Sequence, residues 1–224
     1  LAKGGSNSYN RDSSLFHSAT ASASSGSDFV LRIVPHPHPA LRYESKPVAQ
    51  IDDSLRGIVR EMFGLMYASN GIGLAANQVG IPLRVFVLNL TADAEKPEEE
   101  RVFINPEIVK RHSSEENEEG CLSFPGLYGK VRRARKVRVH AYDLAGNPVE
   151  VEADDLLGRA IQHETDHLDG KLFIDYLGPI ARTSANAKVK EIEAGYRKAQ
   201  AEGIYPDDDE IRRQLEAFGA TATV

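Results

Sequence analysis

Between residues 83 and 151 the chain consists largely of short runs suited to strands, and this limits its fold more than any other feature. Leu83 to Leu90, Val102 to Ile104, Val137 to Tyr142 and Val149 to Val151 are rich in β-branched and aromatic residues. Ala145-Gly146-Asn147-Pro148 separates the last two runs as a hairpin turn would. Helix patterns flank this region. In the first, Leu55, Ile58, Val59, Met62 and Met66 form one stripe behind a cap at Asp52 or Asp53, ending near Asn70-Gly71. The second starts at Asp154 or Asp155 and runs to about Leu168, with Gly170 beyond it. Several short strands with two or three helices predict an α+β fold with antiparallel sheet and argue against a doubly wound one.

The 224 residues suit one domain with appendages. Residues 1–27 are rich in Ser, Gly, Ala and Asn, and are expected to be a disordered tail, either an expression linker or an organelle-targeting remnant. Residues 28–178 form the body. Residues 179–224 are expected to be a helical extension: Val189, Ile192, Tyr196 and Ala199 recur at helical spacing up to a stop at Gly203. A second short helix opens at Asp207 to Glu210, carries Ile211, Leu215 and Phe218, and closes at Gly219. Lys and Arg total 27 against 33 Asp and Glu, a net charge of −6, which argues against a nucleic-acid binder. The charge runs Glu95–Glu100, Glu115–Glu119 and Lys130–Arg138 read as solvated loops and sheet faces. No stretch approaches the roughly 18 apolar residues of a membrane helix. The expected location is therefore the cytoplasm, or an organelle if residues 1–27 are a transit remnant. A single cysteine excludes an internal disulfide framework and a cysteine-only zinc module.

The chemistry concentrates in Gln162-His163-Glu164-Thr165-Asp166-His167. Residues four apart on a helix share a face, so His163 and His167 can offer two imidazoles to one metal ion. Glu164 lies about 100° round the helix, within reach of a metal-bound water without taking a coordination site. Leu156 and Ala160 fall on the histidine face, which predicts a largely apolar wall behind the metal. Two surface histidines on a charged helix would give the same pattern. A catalytic site of this type needs a third protein ligand. The extended HExxHxxGxxH pattern fails at Phe173, which leaves Glu191 or Glu193, as in a thermolysin-like peptidase, or the lone thiol of Cys121. Cys121 sits in the tight segment Glu119-Gly120-Cys121-Leu122-Ser123. A third segment, Gly71-Ile72-Gly73-Leu74-Ala75-Ala76-Asn77-Gln78, lets backbone approach a ligand closely and ends in an amide donor. By itself that segment equally fits a helix cap followed by a close-packed turn.

Taken in order, these three segments resemble the GxGxAAxQ, EGCLS and HExxH motifs of the peptide deformylases, and the likeness spans roughly residues 28–178. Phe124-Pro125-Gly126 after the second motif resembles the type I, bacterial and organellar branch. The resemblance implies an α+β fold with antiparallel sheets packed around a central HExxH metal-binding helix. It implies Cys121, His163 and His167 as metal ligands, Glu164 as general base and acid, and Gln78 with the backbone N–H of Leu122 as oxyanion donors. Ile72 and Gly73 would line the substrate groove, an extended peptide pairing there as an added strand. The implied reaction is hydrolysis of the N-terminal formyl group of formyl-methionyl nascent polypeptides, releasing formate. The implied cofactor is one divalent ion, Fe(II), with zinc, nickel or cobalt as substitutes. The implied partner is the formylated nascent peptide, with the ribosome a candidate contact for the C-terminal helices. The alternatives are a thermolysin-like zinc peptidase and a non-catalytic binding module on the same fold.

Overall fold

The computed structural model of the chain describes residue 1 and residues 31–221, with side chains through residue 218. The expected disordered tail, apart from Leu1, lies outside the described residues, as does the end of the chain. Helix α1 (Asp53–Ala68) begins where Asp52 accepts a hydrogen bond from Leu55 N at 2.9 Å, so Asp52 is the cap and Asp53 the first helical residue. Strands β1 (Gly73–Ala75), β2 (Val85–Leu88), β3 (Arg101–His112), β6 (Lys136–Tyr142) and β7 (Pro148–Asp154) form one sheet in the order β1-β2-β3-β6-β7. Every neighbouring pair in it is antiparallel. Strands β4 (Glu115–Gly120) and β5 (Tyr128–Arg133) make a separate antiparallel pair. Helix α2 is Asp155–Leu168, α3 is Pro179–Ala201 and α4 is Asp208–Thr221, so α4 continues past Gly219, the expected stop.

Side-chain alternation along β2 divides the core in two. Phe86 and Leu88 face α2 and pack with Phe103, Val137, Val139, Ala160 and Ile161. Val85 and Val87 face the opposite way, against Leu55, Val59, Met62 and Met66 of α1. The sheet is thus sandwiched at this end between α1 and α2, which is why all four β2 residues are buried. A third cluster lies under β4 and β5, where Cys121, Phe124, Val131 and Phe173 meet Ala185 of α3. Ile211 and Leu215 of α4 pack on Ala40.

Helix α2 ends at Gly170, whose φ is +68° and whose missing Cβ would lie 2.6 Å from the Arg42 carbonyl. Only glycine suits both that conformation and that contact. The expected apolar wall on the histidine face is only partly present. Ala160 is fully buried, but Leu156, in the first turn of the helix, is 45 % exposed. Arg159, three residues further along the helix, is buried.

Candidate metal centre

Cys121, His163 and His167 converge, and among the described residues they form the group suited to a metal ion, their ligand atoms lying within 4.8 Å of one another. The two imidazoles come from one face of α2, with ring centroids 5.0 Å apart. The thiol comes from the turn after β4, closed by the Phe124 N–H donating to Cys121 O at 2.9 Å. Cys121 Sγ lies 3.3 Å from His167 Nε2. All three residues are buried, and His163 Nε2 is buried without a hydrogen-bond partner. Two imidazoles and a soft thiol, with His163 Nε2 and His167 Nδ1 both unpaired, fit a divalent transition metal in a three-ligand site. Glu191 and Glu193 lie elsewhere: Glu191 pairs with Lys188, and Glu193 with His36.

Around this cluster the polar groups are aimed. The Gln78 amide donates to Cys121 Sγ at 3.4 Å and to Ser123 Oγ at 3.2 Å, while its Oε1 accepts from Ala75 N at 2.9 Å. Residues 34–36 brace both motifs, since Val34 N donates to Gln78 O and His36 N to Ser123 O. Leu122 follows Cys121 in the same turn, its side chain against Gly71. Glu164 is fully buried, with Oε2 unpaired. A Cβ on Gly73 would stand 2.5 Å from Glu164 Oε1 and 2.7 Å from Leu88 Cδ2, so this carboxylate sits where a side chain would otherwise be.

Behind His163 lies a buried ionic cluster. Glu119 accepts from Arg133 Nε at 2.8 Å and Nη2 at 2.9 Å, from Arg159 Nη1 at 2.7 Å and from His163 Nδ1 at 2.9 Å. Arg133 also pairs with Asp166. Burial opposes the charged form of Glu119, but the bonds from Arg133 and His163 prevail and hold its carboxyl far below the usual range. Burial and the neighbouring His163 together hold His167 well below its ordinary value, which favours the neutral imidazole a metal ligand must be.

Leu1 lies beside the cluster, its carbonyl accepting from Ile72 N at 3.0 Å and its side chain buried among Ile72, Phe86 and Leu88. The family model for polypeptide deformylase matches residues 30–183. The chain belongs to the peptide deformylase family. This is a family of metal-dependent hydrolases that removes N-formyl groups from nascent peptides. The chain is 39 % identical over 193 residues to the peptide deformylase of Rhodopirellula baltica, covering 86 % of this chain and 96 % of that one. With the peptide deformylase of Cellvibrio japonicus it shares 46 % identity over 170 residues, covering 75 % and 99 % of the two chains. The crystal structure of the Plasmodium falciparum peptide deformylase superposes with a TM-score of 0.73 at 42 % identity, covering 75 % of this chain and 98 % of that one.

The α+β architecture with antiparallel sheets is that of the deformylases. The three motifs that sequence reasoning singled out lie side by side: Gly73 against Glu164, Gln78 against Cys121, and Cys121 against His167. Two parts of the centre were missed. Glu119 and Arg133 belong to charge runs read as solvated, yet both are buried. The available signal was the position of Glu119 two residues before the thiol. Arg159, four residues before His163 on the same helix face, was the second available signal.

Proposed function

We propose that Cys121, His163 and His167 hold one divalent metal ion at which an N-terminal formamide is hydrolysed, the chemistry residing in residues 28–178. Bound there, the ion supplies Lewis acidity, which makes water nucleophilic near neutral pH and polarises a carbonyl. The chain's own groups do the rest. Glu164, buried with Oε2 free, takes the proton from the attacking water and later delivers it to the departing amine. The Gln78 amide, held by Ala75 N on one side and turned towards Cys121 on the other, donates to the developing oxyanion together with the Leu122 N–H.

The observation that carries this reading is the convergence of Cys121, His163 and His167, their ligand atoms within 4.8 Å of one another, in a chain of the deformylase family. The Gly73 backbone lying directly against Glu164 Oε1 supports Ile72 and Gly73 as the substrate-pairing segment. Strand β1 is an edge of its sheet, so an extended peptide can add there.

We assign Fe(II) as the working ion, with zinc, nickel and cobalt as substitutes. The soft thiol with two imidazoles supports that set, and metal analysis after anaerobic preparation tests it. We place the reaction in the cytoplasm, or in an organelle that makes formylated chains. Among the described residues no helix is long and apolar enough to cross a membrane. A ribosomal contact of α3 and α4 is the further reading the resemblance carries, tested by co-sedimentation with ribosomes. The central test is direct: formyl-methionyl peptide is incubated with metal-loaded protein, with and without chelator, and formate is measured. Formate release that stops with chelator is expected; none from loaded protein would sink the proposal.

A further inference from the structure

Arg159 has no part in the reaction as described, yet its guanidinium is almost completely buried beside the metal-ligand cluster. It lies on α2 one turn before His163 and is 4 % exposed. A buried guanidinium is costly unless its donors are used. Here they tie three elements together. Nη1 donates to Glu119 Oε1 at 2.7 Å and to Val131 O at 2.9 Å, and Nη2 donates to Glu115 O at 3.3 Å. The strand leading into Cys121, its partner strand and the histidine helix therefore meet at this one side chain.

Glu119 is the point through which Arg159 can act. Its four acceptor positions are filled: Oε1 by Arg159 and Arg133 Nε, Oε2 by Arg133 Nη2 and His163 Nδ1. An ionised carboxylate only accepts, so His163 donates to it from Nδ1, which leaves Nε2 as the nitrogen that would face a metal. That Nε2 is the buried nitrogen without a partner. Arg133 divides its guanidinium between Glu119 and Asp166, whereas the nearest carboxylate to Arg159 other than Glu119 is that of Glu115, at 3.8 Å. Without Arg159, Glu119 Oε1 keeps one donor, and the carboxylate is free to turn away from His163.

We propose that Arg159 is a positioning residue for the metal centre, fixing Glu119 and, through it, the ring orientation and tautomer of His163. This rests on the reading of Cys121, His163 and His167 as metal ligands. Groups that orient metal-bound histidines typically change metal affinity by about 10–100-fold when removed. The probe is Co(II) alone, titrated into metal-stripped protein and followed by its visible absorption. Arg159→Met is expected to bind Co(II) about 10–100-fold more weakly, with shifted ligand-field bands. In a Glu119→Gln background the same substitution is expected to change affinity less than about twofold, because the group through which it acts is gone. Wild-type affinity and spectrum in Arg159→Met would overturn the proposal, even with a lowered melting temperature. Full additivity with Glu119→Gln would also overturn it. Should Arg159→Met not fold, Arg159→Gln is read in its place with the same outcomes. Failure of the underlying site reading looks different: wild-type protein would then not bind Co(II), or would bind it with bands unchanged by Cys121→Ser.

Discussion

Glu164 is fully buried, with Oε1 against Gly73 and Oε2 unpaired. That is the condition of a carboxylate placed to move a proton. Glu164→Ala is expected to keep the metal and lose about 10²–10⁴-fold in kcat, measured as formate release beside metal content. Cys121→Ser should lose the metal itself, because in the proposed site the thiol is a ligand and the glutamate is not. Activity surviving in Glu164→Ala would refute the proton role. Gly73 is the neighbour that makes this placement possible. In Gly73→Ala the added methyl would meet Oε1 at 2.5 Å and Leu88 at 2.7 Å, so Glu164 must shift. The expected result is a folded, metal-loaded protein with at least about tenfold lower kcat, since small misplacements at reacting groups are costly. Circular dichroism and turnover together check it.

At the scale of elements, the docking of α3 and α4 depends on His38. This ring accepts from Ala40 N at Nδ1 and is flanked edge-on by Tyr196 and Tyr205. Burial pushes its pKa down to about 4, only partly opposed by Asp208. Protonation also removes the Nδ1 acceptor. Between pH 6.5 and about 4 the unfolded chain binds a proton here that the folded chain does not, so stability falls as pH falls. The gap between those values sets an upper limit of about 3 kcal/mol on the loss. Urea unfolding across this window should show the slope, flattened in His38→Asn, which keeps a capping group without the titration. Equal slopes in both proteins would remove His38 from the account. The same scale shows where the sequence was hard to read. Strands β4 and β5 carry Glu116, Glu118, Lys130 and Arg132 towards solvent and pair them across the ladder, Glu116 with Arg132 and Glu118 with Lys130. Opposite charges stabilise such a pair without any apolar alternation, so neither run looked like a strand.

For the whole molecule, the proposed metal site joins the turn after β4 to α2, so its occupancy and folding would be linked. A ligand at 100 times its Kd stabilises the folded state by about 2.7 kcal/mol. Stripping the metal is therefore expected to lower the melting temperature by several degrees, restored by Co(II) or Zn(II). An unchanged midpoint would mean that the cluster holds no ion. The sequence by itself determined what depends on near neighbours along the chain. Helical spacing put His163 and His167 on one face, Asp52 and Gly170 marked helix ends, and alternation predicted antiparallel strands. It also offered Cys121, but only alongside Glu191 and Glu193, because residues tens of positions apart carry no mark of their distance in space. Only the tertiary structure set the thiol beside both imidazoles, brought Gly73 against Glu164 and turned Glu119, Arg133 and Arg159 inward. Local pattern assigns charged residues to solvent by default. Burying them becomes favourable only when four donors, two from β5 and two from α2, meet one carboxylate, and packing alone decides that.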